Sequence, residues 1–154
     1  YKTQLIGVCI FCFIQFAYAL YTIYLTKNVW LKLLNLLVRI AVTIVAYFVI
    51  QHFLHLETVE IISLLYAINC LITVIVLLFY IKTEWILFFG LLLLLICDIF
   101  VGLQYGAVDI LGINGWFLEV LQNYDIAFIC YIPGEYLIAL ASVLGCKQNL
   151  ENKK

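Results

Sequence analysis

Methionine is absent from all 154 residues, proline occurs once, and only 11% of the side chains are charged. The missing methionine predicts a chain that begins after a start codon, as the C-terminal part of a longer or processed protein. One proline, and no internal stretch rich in Pro, Gly or Ser, leaves no linker and predicts a single domain over residues 1–154. So low a charge content excludes an ordinary soluble domain, in which about a quarter of residues are charged. No basic cluster suits nucleic acid, and no nucleophile elbow is present. Gly106, Gly112 and Gly115 lack the strand-to-helix context of a phosphate-binding turn. The six cysteines stand singly in apolar runs except Cys9 and Cys12, which have no second ligand pair nearby and read as small buried hydrophobes. His52 and His55 lie close to Glu57 and Glu60, but no compact ligand motif accompanies them. Neither a metal nor a cofactor is expected.

What fills the sequence instead is apolar. Hydrophobic residues make up 68% of it, and the mean hydropathy is +1.18. Continuous apolar runs of about 20 residues match the length of helix needed to cross a hydrocarbon core of roughly 30 Å. Barrel strands would alternate apolar and polar residues, and these runs do not. The expected class is all-α, a polytopic transmembrane helix bundle of about five spans. The spans are expected over residues 5–25, 33–54, 61–81, 85–103 and 125–144. Short polar connections separate the first four, and a longer loop over residues 104–123 precedes the last.

Lysine placement tests that count, since Lys and Arg gather at the cytoplasmic ends of spans. Five spans put Lys27, Lys32, Lys82, Lys147, Lys153 and Lys154 on one side and only Lys2 on the other. This predicts an integral protein of the cytoplasmic membrane with a cytoplasmic C-terminus. Depth follows from the rise of about 1.5 Å per residue: Asp98 lies roughly 21 Å from the cytoplasmic end of its span, and Glu135 about 15 Å down the last one. Gln15 and Asn69 fall near mid-depth, and Arg39 roughly 9 Å from the cytoplasmic end. An acid inside a span is a functional-site hypothesis by default, which makes Asp98 the leading candidate. Polar groups within hydrocarbon need partners, so Gln15, Arg39, Asn69, Asp98 and Glu135 are expected to line one cavity, with Arg39 a counter-charge for Glu135. Gln15 and Asn69 serving only to hold helices together is the plainer alternative.

These segments resemble the YhhN family of integral membrane proteins, which includes lysoplasmalogenases. The resemblance rests on LIGVCIFCFIQFAYALY (residues 5–21), Tyr66 in IISLLYAIN, GLLLLLICD (residues 90–98) and YIPGEYLIALAS (residues 131–142), in that order. Cys97 stands where the family usually has Ser, and Glu135 where it usually has Gln. A second key acid of the family belongs to an earlier helix. The resemblance implies hydrolysis of the vinyl ether bond of a lysoplasmalogen to a fatty aldehyde and a glycerophospho-head group. Protonation of the vinyl ether β-carbon gives an oxocarbenium ion that water attacks, and desolvation keeps a carboxyl protonated for that task. The implied catalytic residues are Asp98, with Glu135 able to stand in for the second acid. The implied lysolipid substrate would be held by Gln15, Arg39, Asn69, Tyr66 and Tyr131, in contact with membrane lipids. A non-catalytic YhhN-like protein and a small transporter are the alternatives.

Overall fold

The computed structural model describes residues 2–53, 58–111 and 126–151, and among them five α-helices and no strand. They are α1 (Lys2–Leu25), α2 (Val29–Phe53), α3 (Thr58–Leu78), α4 (Ile81–Leu111) and α5 (Ile126–Glu151). The architecture is all-α. Val29–His52, Glu60–Leu78, Ile81–Val101 and Ala127–Gly145 are each long and apolar enough to cross a membrane, and α1 contributes the shorter apolar stretch Cys9–Leu25.

The helices are longer than the apolar runs that announce them, for local reasons. The second helix begins at Val29 rather than residue 33, because Asn28 caps it: its Oδ1 accepts the backbone N–H of Trp30 at 2.9 Å. A side-chain oxygen at this position satisfies one of the orphan donors of a helix start. Trp30 and Lys32 therefore belong to α2, and the connection from α1 shrinks to residues 26–28. The turn expected at residues 82–84 becomes a bend inside α4, where Glu84 leaves helical geometry (φ −115°, ψ 27°). There the backbone N–H groups of Thr83 and Glu84 both donate to the carbonyl of Tyr80, at 3.0 and 2.9 Å.

Residues 104–111, expected as loop, continue α4. Gly102 and Gly106 lower helix propensity by only about 1 kcal/mol each, and no proline interrupts the run. Residues 112–125 lie outside the described residues, as do His55 and Glu57. The last helix likewise runs to Glu151 rather than residue 144, and it carries Pro133 in its interior. A proline there removes one backbone hydrogen bond, which spanning helices tolerate more readily than soluble ones.

Two compact units divide the chain, Tyr1–Val76 and Leu77–Lys154. In unit one the buried residues include Ala19, Ile50, Cys70 and Val74, but also Gln15, Thr22, Thr26, Arg39 and Thr73. In unit two they include Leu77, Leu87, Phe88, Leu91, Leu94, Leu95, Cys97 and Ile138. Here α4 and α5 pack antiparallel, with Gly90 against Gly134 and Ile138, and Gly134 against Leu94. A Cβ built on Gly90 would come within 3.1 Å of the Gly134 carbonyl oxygen and 3.2 Å of the Ile138 backbone nitrogen. Small residues permit this approach, which is how helices gain van der Waals contact where lipid supplies no hydrophobic drive.

Candidate functional site

A polar seam runs through unit one. On α1, Gln15, Ala19 and Thr22 are spaced four and three residues apart, so they share one helical face; Thr26 follows just past the end of the helix, and all four are buried. On α2, Lys32, Asn35 and Arg39 repeat the spacing, and α3 supplies Asn69 and Thr73. Such spacing keeps one stripe of a helix turned toward its neighbours. Arg39 joins the three stripes. Its Nε donates to Asn35 Oδ1 at 2.9 Å. Nη1 donates to Asn69 Oδ1, to the Asn69 carbonyl at 3.3 Å and to Thr73 Oγ1 at 3.1 Å. Nη2 donates to Thr22 Oγ1 at 3.1 Å. The threonine hydroxyls donate onward to backbone carbonyls, Thr22 to Ala19 at 2.8 Å, Thr73 to Asn69 at 2.9 Å and Thr26 to Thr22 at 3.0 Å.

Arg39 is only 5% exposed. Because α2 starts at Val29, Arg39 lies about 15 Å along its span, deeper than the roughly 9 Å expected from the sequence. Its hydrogen-bond acceptors among the described residues are neutral, and Glu135 is exposed on α5 in the other unit. Two buried polar atoms of unit one have no hydrogen-bond partner: Oε1 of Gln15 and Nδ2 of Asn35. The Asn35 amide cannot be turned to remedy this without losing the bond its oxygen accepts from Arg39.

Unit two holds the two candidate acids. Asp98 is half-buried on α4, on the stripe that also carries Leu87, Leu91 and Leu94. With Gly90 opposite Ile138 and Leu94 opposite Gly134, the antiparallel register sets Asp98 at the level of Cys130 and Tyr131. Cys97 is buried within electrostatic reach of Asp98 and Cys130, and Tyr131 is within reach of Glu135 and Cys97. Because α4 begins at Ile81, Asp98 lies about 25 Å along it rather than 21 Å. Glu135 follows the buried Gly134 by one residue, a rotation of about 100° in a helix of 3.6 residues per turn. That turns it onto the outward face with Ile132 and Phe128.

The structure therefore groups the expected site residues by unit. Arg39 and Asn69 bond directly, and Gln15 lies on the same α1 stripe as Thr22. Tyr66 stacks on Phe11, with ring centroids 6.3 Å apart and planes 16° apart. Tyr131 meets Phe128 edge to face at 6.3 Å. Sequence reasoning passed over Asn35, Thr22 and Thr73, whose signal was their heptad-like repetition with Gln15, Arg39 and Asn69 inside apolar runs. Among the described residues no group of three His, Cys, Asp or Glu is placed to hold a metal ion. A shallow groove on α1 lined by Ile6, Cys9, Ile10 and Phe13 is apolar.

Together these features define the class, an all-helical integral membrane protein with one polar and one apolar packing unit. Comparison with family models, with curated proteins and with solved structures returns no match.

Proposed function

We propose that the protein is a membrane-embedded hydrolase of the lysoplasmalogenase-like kind, acting on the vinyl ether of a lysolipid. The observation that carries this reading is Asp98, a carboxyl half-buried on the packed stripe of α4 beside the buried Cys97. The reaction needs an acid that carries a proton to the substrate. Asp98 would deliver that proton to the vinyl ether β-carbon. Water then adds to the oxocarbenium carbon and returns a proton, and the resulting hemiacetal collapses to a fatty aldehyde and a free glycerol hydroxyl. Glu135, on the outward face of α5, is less suited to the second acid's part, and Tyr131 lies nearer the level of Asp98.

The seam around Arg39 favours a second reading, a small transporter or a non-catalytic relative, because polar residues threaded through spans also mark solute paths. The six lysines at one set of helix ends support a cytoplasmic C-terminus in the cytoplasmic membrane. A reporter fused after Lys154 should register the cytoplasmic side, and an external signal would reverse that orientation.

The deciding experiment is aldehyde release from a lysoplasmalogen by the reconstituted protein. Asp98→Asn keeps size and hydrogen bonding but cannot donate the proton, so the rate should fall about 10²- to 10⁴-fold with insertion intact. Glu135→Gln should be tolerated. Full activity in Asp98→Asn would remove the assignment, and wild-type protein without aldehyde release would favour the second reading.

A further inference from the structure

The hydrogen bonds that Arg39 makes among the described residues do not cancel its charge. The guanidinium is 5% exposed, yet every acceptor it bonds among them is neutral: Asn35, Asn69, Thr73 and Thr22. Neutral oxygens satisfy N–H groups without cancelling the net charge, and an uncompensated charge in a low-dielectric interior is costly. A second feature points the same way. Nδ2 of Asn35 is buried and donates to nothing, while the oxygen of the same amide accepts from Arg39 Nε and so fixes its orientation. Nη2 also has a single acceptor, Thr22, where it can donate twice. A cation beside an unused donor calls for an acceptor that carries negative charge. Lys32 lies on the same face, three residues before Asn35, half-buried near the start of α2. It extends the positive field toward the end of the helix.

We infer that Arg39, Asn35 and Lys32 form a binding site for a phosphate-type oxyanion, approached from the N-terminal end of α2. A tetrahedral group with several charged oxygens can accept from donors at different levels of one helix face at once, and guanidinium is the side chain best matched to it. The chemistry is shared by two sources, the phosphodiester of an anionic membrane lipid and soluble phosphate. The inference does not depend on the hydrolase reading, because it uses residues of unit one alone and requires no turnover.

The test uses the full chain in neutral detergent and measures binding of phosphatidylglycerol in mixed micelles, of inorganic phosphate, and of diacylglycerol as the phosphate-free control. Saturable binding of phosphatidylglycerol but not diacylglycerol identifies a lipid phosphate, and saturable binding of inorganic phosphate alone identifies a soluble one. In either case Arg39→Gln and Asn35→Leu should each weaken binding about tenfold or more, the range set by hydrogen bonds to charged groups. Lys82→Gln, an exposed charge of unit two, should leave it unchanged. Should Arg39→Gln fail to fold, Asn35→Leu decides, since it keeps the cation. Unchanged affinity in Asn35→Leu, or no saturable binding of either phosphate, overturns the site.

Discussion

In unit one α1 buries Gln15, Ala19 and Thr22, with Thr26 just past its end, whereas in unit two α4 buries Leu87, Leu91 and Leu94 on the face beside Gly90. Both units must hold helices together where lipid is as apolar as leucine and burial alone brings no gain. Unit one does so by directed bonds: a single guanidinium reaches α1 and α3 from α2 and ties its own helix through Asn35. Unit two does so by proximity, with two glycines that let backbones approach. The difference lies in what each unit can tolerate. A seam of hydrogen bonds depends on particular donors and acceptors but leaves some freedom of separation. A glycine contact is indifferent to polarity and intolerant of one added carbon.

The largest effect should come from removing the hub of the seam. Arg39→Leu leaves the amide oxygens of Asn35 and Asn69 without their donor, at about 1–3 kcal/mol for each orphaned group. The loss is partly offset by relief from burying a charge, so about 2–4 kcal/mol of unit-one stability should go. Arg39→Lys should recover only part of it, because a point charge cannot bond three helices as a fork does. Equilibrium unfolding in mixed micelles measures both. A neutral Arg39→Leu would mean that the apolar contacts of unit one suffice, and the contrast between the units would collapse.

Next in size is the glycine contact. Gly90→Ala sets a methyl 3.1 Å from the Gly134 carbonyl oxygen and 2.8 Å from Ile138 Cγ1. The carbonyl belongs to the backbone and the isoleucine is stiff at χ1, so α4 and α5 must separate, at about 1–3 kcal/mol. Gly134→Ala meets the Leu94 side chain and the Gly90 carbonyl at 3.2 Å, and should cost less because it makes no contact as short as the 2.8 Å one at Gly90. Crosslinking between cysteines introduced on α4 and α5 would report the separation. Equal yields in wild type and Gly90→Ala would remove the close approach from the account.

Much of this was legible beforehand, and the reasons are physical. Apolar length fixed the all-α class and the five helices among the described residues, because a run that must satisfy its own backbone in hydrocarbon has no other form. Helix ends were read too short, since caps such as Asn28 and polar turns such as residues 147–151 sit outside the apolar pattern that defines a span. Arg39 and Asn69 are expected to share one cavity with Gln15, Asp98 and Glu135, as polar residues in need of company, and the first two bond directly. Their true partners, Asn35, Thr22 and Thr73, were missed because threonine and asparagine near a span end look like ordinary interface residues until their spacing is compared across helices. Glu135 was expected to face inward by depth alone. Its neighbour Gly134 takes the contact with α4, and depth carries no information about rotation.

The smallest effect gives the finest test of the seam, because it compares one substitution made four residues apart along the chain. Thr22 and Thr26 are both buried, and both donate to a backbone carbonyl of α1. Only Thr22 also accepts from Arg39. Threonine to valine conserves shape, and a carbonyl inside a helix that loses a side-chain donor keeps its backbone partner, so Thr26→Val, which leaves the bonds of the guanidinium in place, should cost less than Thr22→Val. Thr22→Val removes the acceptor that Arg39 Nη2 has among the described residues. A hydrogen bond to a charged group contributes about 1.5–3 kcal/mol, but cross-helix bonds in membranes have averaged well below that. The expected loss is therefore about 1 kcal/mol, and the difference between the variants matters more than either value. Equal and negligible effects would mean that Arg39 is held by Asn69, Thr73 and Asn35 alone. The seam would then join α2 to α3, and α1 would be bound to unit one by its apolar contacts.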